Sequence, residues 1–404
     1  MDTILIIGCI LSSVSLLIWL YLIVGRGFFW KFDQRLHISD EKDTATGDLP
    51  TACVVIPARN ERKLLEKTLP FLLRQNYTGR FHIFLVDDCS TDGTAALARQ
   101  IATNMDANHR LTVVSGRPLP PGWTGKLWAL QQGTLAVQKK NPTFLMFTDA
   151  DILHSTQSLQ SIVQKAVQKE IVLLSTMVKL KVTNRWEQLL IPAFVFFFAK
   201  LYPFSWVNDP GRKTAAAAGG CVLLRRNALE NMGGLKTLSS ALIDDVTLAK
   251  RIKGIAGETC NEIWLGLAEE IVSLRQYQGI RGVWQMVART AYTQLKHSPL
   301  HLAATILGML LTYLMPLMGT VLGFVIIWVN GTVFHSWWIF ISAVAGWSLM
   351  AVAFRPILEW YESPRYMAFL LPIAGLLYTL MTIDSAVQHY RGQGGYWKGR
   401  TYRS

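Results

Sequence analysis

The stretch Phe144-Leu145-Met146-Phe147-Thr148-Asp149-Ala150-Asp151-Ile152 decides the fold. A short run of large, β-favouring apolar residues ends abruptly in two carboxylates separated by one alanine. The run reads as a buried central strand. Ligands of an open α/β sheet bind outside the carboxyl ends of its strands, so Asp149 and Asp151 stand at the mouth of a crevice. Alternation along the strand end points both carboxylates the same way. Two converging carboxylates in a dry site do not both stay ionised without a cation. Hard oxygen ligands select Mg²⁺ or Mn²⁺ carrying a phosphate-bearing substrate. Taken alone, Asp-x-Asp is equally the pattern of a solvated loop or a helix cap, so the rest of the chain must decide.

Upstream, strands and helices alternate. Thr51 to Pro57 is a buried strand stopped by its proline, and Arg62 to Arg74 carries Leu64, Leu65, Leu69, Leu72 and Leu73 at helical spacing. Phe81 to Val86 is a second strand, leading into Asp87-Asp88-Cys89-Ser90-Thr91-Asp92-Gly93-Thr94. Ser90, Thr91 or Asp92 can cap a helix from Thr94 to Thr103. Leu111 to Val114 is a third strand, and Pro118 to Lys126 is a loop by its proline and glycine content. A helix over 127–138 then leads to the strand before Asp149. This alternation predicts an α/β domain with a mostly parallel, Rossmann-like sheet.

The chain of 404 residues is 51% hydrophobic, with a formal net charge of +13. Its mean hydropathy of +0.26 is too apolar for an ordinary soluble enzyme. Because the basic balance accompanies long apolar segments, an anionic membrane surface or a phosphate-bearing substrate explains it more simply than nucleic acid does. The five cysteines (Cys9, Cys53, Cys89, Cys221 and Cys260) are scattered, without a Cys-x-x-Cys pair. That spacing gives neither a zinc site nor a disulfide framework, and it suits a reducing compartment.

Ile4 to Val24 is apolar and uncharged, long enough to span a bilayer. Arg26, Lys31 and Arg35 follow it and place that side in the cytoplasm. Leu302 to Val329 (with Pro316 inside), Trp337 to Phe354 and Met367 to Ile383 are three further candidate spans. They create a conflict: with the body inside, three spans put the tail outside, yet the tail carries Arg391, Lys398, Arg400 and Arg403. One segment is then re-entrant or the tail breaks the tendency, and Pro316 makes Leu302 to Val329 the first suspect. Trp186 to Trp206 is apolar but interrupted by Pro192, Lys200 and Pro203, and reads either as an interfacial segment or as a buried core helix. Leu173 to Val182 reads as a strand, and Arg225 and Arg226 as surface charges.

The order strand-Pro57-Ala58-Arg59-Asn60-Glu61, then Val86-Asp87-Asp88-Cys89-Ser90-Thr91-Asp92-Gly93-Thr94, then Gly125-Lys126-Leu127-Trp128-Ala129-Leu130, then Asp149-Ala150-Asp151, resembles the family 2 glycosyltransferases of the GT-A fold. Further motifs resemble the membrane-bound hopene-associated (HpnB type) members, relatives of ceramide glucosyltransferase. These are Gly122-Trp123-Thr124, Leu242-Ile243-Asp244-Asp245, Val287-Ala288-Arg289-Thr290-Ala291-Tyr292-Thr293-Gln294-Leu295 and Trp397-Lys398-Gly399-Arg400. The resemblance covers nearly the whole chain.

The resemblance implies roles. Asp88, Pro57, Ala58 and Glu61 would hold the nucleoside of a nucleotide-sugar donor, with Asp87 beside them; a helix cap is the plainer reading of the acidic turn. Lys126 would meet the diphosphate as a point charge. Asp149 and Asp151 would hold Mg²⁺ or Mn²⁺ as a Lewis acid. Gly219-Gly220 would line the donor-sugar and acceptor side. An inverting transfer needs one carboxylate to take the acceptor's proton, which the resemblance gives to Asp245, oriented by Asp244; a helix N-terminus also favours acids there. Relatives place a Gln/Arg-x-x-Arg-Trp motif after this acid. Here Gln278, Arg281 and Trp284 match it with two extra residues before the tryptophan, which weakens the roles of Arg281 and Trp284 and argues against a processive synthase. Arg289 is an alternative cation for the diphosphate.

The expected organisation is an N-terminal transmembrane helix (1–25), a linker (26–49), a cytoplasmic GT-A catalytic domain (50–299), a C-terminal transmembrane region of two to three spans (300–390) and a basic tail (391–404). The expected activity is transfer of one sugar, from a UDP-sugar, to a membrane lipid on the inner face of a bacterial cell membrane. A nucleotidyltransferase using the same site and a non-catalytic scaffold are the alternatives.

Overall fold

The computed structural model describes residues 2–37, 49–241, 244–255, 262–330, 334–392, 396–397 and 400–401. Within them the strand ending at Asp149 is central, as its sequence predicts. The strands are β1 (Arg35–Leu36), β2 (Ala52–Ala58), β3 (Phe81–Asp87), β4 (Leu111–Ser115), β5 (Phe144–Thr148), β6 (Ile152–His154), β7 (Leu173–Leu180), β8 (Cys221–Arg225) and β9 (Ile263–Ser273). They form one sheet in the order β1-β9-β7-β8-β5-β2-β3-β4, with β6 on β9. Five pairings are parallel: β1–β9, β7–β9, β5–β2, β2–β3 and β3–β4. β8 runs antiparallel to both β5 and β7, and β6 antiparallel to β9. The fold is thus a GT-A-type α/β sheet, mostly parallel but mixed.

Every residue of β2 and β5 is buried, which is why both read as unbroken apolar runs. Alternate residues feed two cores. Val54, Ile56, Phe144 and Met146 face Leu65, Leu69 and Leu72 of helix Arg62–Leu73. Cys53, Val55, Leu145 and Phe147 face Leu127 and Leu130 of helix Gly125–Val137. The second core does not stop at the domain edge. Through helix Arg185–Leu201 it continues into Trp19, Tyr313, Phe354 and Tyr378 of the apolar helices. Ile191, Val195 and Phe196 of that helix are fully buried, so the buried alternative holds for the body of Trp186 to Trp206.

Two expectations are corrected. Arg35–Leu36, placed in the linker, pair with Leu267–Ala268 as an edge strand; residues 38–48 lie outside the described chain. The segment around Pro316 is not interrupted. Helix Pro299–Met309, a π-turn at Leu310–Leu314 and helix Met315–Asn330 run on as one rod. Proline has no N–H to give the carbonyl of Thr312, four residues earlier. The indole N–H of Trp19 donates to that carbonyl at 2.7 Å. Helices Asp2–Val24, Pro299–Asn330 and Phe334–Trp360 pack together, and 365–390 is a fourth stretch of spanning length and apolarity.

Candidate active site

The carboxyl ends of β2, β3 and β5 meet the loops that flank β8 and β9. The turns after β2 and β3 lock each other. Asn60 N–H donates to Ser90 Oγ at 3.0 Å, and Thr91 N–H to Asn60 Oδ1 at 2.8 Å. Asp92 accepts the N–H of Thr94 at 3.0 Å and that of Arg62 at 3.0 Å, so one side chain serves the starts of two helices. Asp88 is fully buried; its Oδ2 stands 3.8 Å from Arg59 Nη1, which also donates to the Asp88 carbonyl at 2.7 Å. Asp87 is half-buried and is the more accessible acid of the pair. Ala58 contributes its carbonyl, which accepts the Asp88 N–H at 2.8 Å.

Pro57, Lys126, Asp149, Gly219 and Asp245 line one cavity, with Leu235, Leu238 and Leu248 on its apolar wall. Lys126 Nζ lies 2.8 Å from Asp149 Oδ1 and donates to the Gly219 carbonyl at 3.1 Å. The Gly219 N–H donates to Asp245 Oδ2 at 2.8 Å. A Cβ on Gly219 would stand 3.1 Å from Asp245 Oδ2 and 3.3 Å from Lys126 Nζ, so a larger residue would press on both groups. Asp245 Oδ1 accepts the Val246 N–H at 2.8 Å, so two backbone dipoles hold the carboxylate in place. Burial raises the Asp149 carboxyl above its ordinary range, Lys126 opposes the rise, and Asp151 adds to it.

Asp151 is buried one step deeper. Its Oδ2 accepts from Ser273 Oγ at 2.7 Å and lies 3.5 Å from Arg275 Nε. Arg275 also reaches Glu61 at 3.5 Å, and so ties two of the expected residues together. The sequence reading missed Arg275. It follows β9 directly, in a segment with no period or motif of its own, and only the β6–β9 pairing carries it to Asp151. Arg289 follows helix Ile280–Ala288, and its charge bears on the buried phenol of Tyr277, which burial pushes up to about 12. Trp284 donates its indole N–H to Asp384 at 2.7 Å. Arg225 and Arg226 lie at the far end of β5 and β8, with Arg225 over the ring of Phe144. Asp244 begins helix Asp244–Ile255, but its side chain, like Leu242, Ile243 and Cys260, lies outside the described residues.

The donor set suits a divalent cation. Lys126 engages Asp149 Oδ1, and Ser273 and Arg275 engage Asp151 Oδ2. The second oxygen of each has no partner among the described residues, and both are hard ligands.

Residues 53–233 match the family described as Glycosyl transferase family 2. That matched stretch is similar to a family 2 glycosyltransferase domain. A 4,4'-diaponeurosporenoate glycosyltransferase of Staphylococcus haemolyticus (strain JCSC1435) is 29% identical over 151 residues, covering 37% of this chain and 35% of that protein. A Bacillus subtilis (strain 168) protein, "Probable glycosyltransferase YdaM", is 26% identical over 256 residues, covering 62% of this chain and 57% of that protein. The chain therefore spans between about a third and somewhat over half of these relatives' lengths. Among solved structures, the mannosyltransferase PcManGT from Pyrobaculum calidifontis, in complex with GDP-Man and Mn²⁺, superposes with a TM-score of 0.49 at 16% identity, covering 93% of this chain and 98% of that one.

Proposed function

We propose that the protein transfers one sugar, with inversion, from a nucleoside-diphosphate sugar to the hydroxyl of a membrane lipid. The observation that carries this reading is the bridge at Gly219. One peptide unit joins the proposed base, through its N–H to Asp245, to the Lys126–Asp149 pair, through its carbonyl. A base and a phosphate-facing cation held a residue apart suit a hydroxyl attacking the sugar carbon that bears the diphosphate. Asp245 takes the hydroxyl proton, the new C–O bond forms, and the bond to the diphosphate oxygen breaks with its electron pair. Both backbone N–H groups hold Asp245 in place. Lys126 and Arg275 meet the charge of the diphosphate. Asp149 and Asp151 would hold Mg²⁺ or Mn²⁺, which when bound supplies Lewis-acid charge to the leaving group. One base suits direct displacement, without a covalent sugar intermediate. Glu61, Asp87 and the Pro57-Ala58 turn are proposed to seat a uridine nucleoside, with Asp88 supporting that turn from within, Asp244 orienting Asp245, and Arg289 backing the diphosphate side.

The lipid acceptor is supported by the shared core that joins the domain to apolar helices on both sides of it in the chain. The proposed setting is the inner membrane of a bacterium, with the domain on the cytoplasmic face. The motif resemblance makes a hopanoid-type lipid the first acceptor to try. The test is metal-dependent release of nucleoside diphosphate from a panel of sugar nucleotides, in membranes with candidate lipids. Lipid-dependent release of UDP from a UDP-sugar supports the reading; pyrophosphate release would replace it with nucleotidyl transfer. Asp149→Ala is expected to lower transfer by about 10²–10³-fold and to weaken metal-dependent donor binding. Unchanged transfer in that variant sinks the metal assignment.

A further inference from the structure

Arg365–Tyr390 has the length and apolarity of a span, but its neighbours show where its ends lie. Helices Asp2–Val24 and Phe334–Trp360 run parallel, since Gly8 meets Ile339 and Ser12 meets Ser342. Helix Pro299–Asn330 runs antiparallel to them, with Gly319 on Ala343 and Gly323 on Phe340. Just past Trp360, the Tyr361 hydroxyl accepts the Leu180 N–H and Glu362 pairs with Lys179, both on β7. That end therefore abuts the catalytic domain.

From there the chain climbs back. The short helix Arg365–Leu370 brings the Phe369 carbonyl to Trp347, whose indole N–H donates to it at 3.1 Å. Trp347 stands roughly 20 Å from the end of its own helix, at the rise of an α-helix. Helix Leu371–Tyr390 then descends. Gly375 packs on Tyr313, in the middle of the Pro299–Asn330 rod. Ser385 accepts the Tyr292 N–H at 3.0 Å, and Asp384 accepts from Trp284. The Tyr390 and Tyr292 hydroxyls meet at 2.9 Å. Both ends of the segment thus lie on the catalytic-domain side.

We infer that residues 361–390 enter and leave the leaflet nearest the catalytic domain, so that this segment is a re-entrant surface for lipid and only three helices span. The backbone chemistry fits a helix start at that depth. An unsatisfied N–H or C=O in hydrocarbon costs several kcal/mol. Pro372, in the first turn, has no N–H to leave bare; the Arg365–Leu370 turn runs straight into the helix; and Trp347 takes the Phe369 carbonyl. Leu371 and Ala374 pack inward, whereas Ile373, Leu376, Leu380 and Val387 form one exposed stripe at helical spacing. Asp384, Gln388, His389 and Tyr390 all fall at the returning end, whereas a spanning helix places polar residues at both ends. The path also returns Arg391 to the domain's side, which removes the charge conflict of the tail.

This inference rests on the membrane embedding proposed above, and the two fail separately. A full-length chain washed from vesicles by alkaline carbonate sinks the embedding. For a retained chain, Cys9, Cys89 and Cys260 are replaced by serine, and Arg365→Cys, Arg391→Cys or Val329→Cys is added singly. A membrane-impermeant maleimide is then applied to right-side-out and inverted vesicles, with restored Cys89 as the reference for the catalytic face. Arg365→Cys and Arg391→Cys are expected to label from the Cys89 face, and Val329→Cys from the other. Labelling of Arg391→Cys from the Val329 face overturns the inference. A fluorophore on Phe369→Cys should be quenched most by lipids spin-labelled in the acyl chain; strongest quenching by headgroup-labelled lipids overturns it as well.

Discussion

The two halves of the sheet are built differently. From β2 to β5, strands alternate with helices, and β2, β3 and β4 lie side by side in chain order. From β6 to β9, strands pair across large sequence separations and in both directions. The first half supplies Lys126, Asp149 and Asp151; the second supplies Gly219, Asp245, Ser273 and Arg275. The site is the seam between them. In the proposed reaction the regular half turns Lys126, Asp149 and Asp151 toward the donor, and the irregular half brings the base Asp245 together with Arg275.

If that division is real, substitutions on the two sides must differ in kind. Asp245→Asn should give the largest effect, a fall in kcat of about 10²–10⁴-fold with donor affinity kept. Full activity in this variant would remove the base from the irregular half. At the seam, Gly219→Ala should cost about 10²-fold in kcat/KM, since its Cβ displaces Asp245 and Lys126 together. Crossing it with Asp245→Asn should show strong non-additivity, whereas simple addition would mean the bridge is incidental. Arg275→Gln removes a charged partner of Asp151 and Glu61, and donor KM should rise about tenfold. A pure kcat effect would place Arg275 on the acceptor side instead.

The smallest effect is on stability. His154, on β6, shares hydrogen bonds with Thr148 Oγ1 at 2.8 Å and Ser158 Oγ at 3.2 Å, and burial lowers its pKa from 6.5 to about 3. The unfolded chain takes up that proton below pH 6.5 and the folded chain does not. Its stabilising contribution is therefore complete above about 6.5 and is lost as pH falls toward 3, at most about 1.4 kcal/mol per pH unit. Thermal unfolding of the detergent-solubilised protein should show a shallower acid limb in His154→Asn. An unchanged limb would mean that other groups set it.

The same division explains what the sequence made legible. β2, β3 and β5 are short apolar runs closed by a proline or by acids, and their helices repeat leucines at helical spacing, so local pattern suffices. Asp149, Lys126 and Asp245, which line one cavity, each sit in a local motif. Arg275 does not, and nothing near it in sequence hints at Asp151, which only the β6–β9 pairing brings close. Arg35–Leu36 is too short to announce a strand. Among the apolar segments, hydropathy reports length and not direction. It made Pro316 the suspect for a reversal, although Trp19 lets that helix run on, and it gave no sign that 365–390 turns back.

The contact between Trp19 and Thr312 changes what the N-terminal segment is. A tether could be exchanged for any other apolar helix of the same length. This one carries the indole that meets the Thr312 carbonyl, 293 residues away in sequence. Swapping helix Asp2–Val24 for a generic apolar helix would take this donor from a buried carbonyl and loosen the rod against which helix Leu371–Tyr390 packs. Helix Asp2–Val24 is thus a template for the apolar helices that follow residue 299, and not an exchangeable anchor.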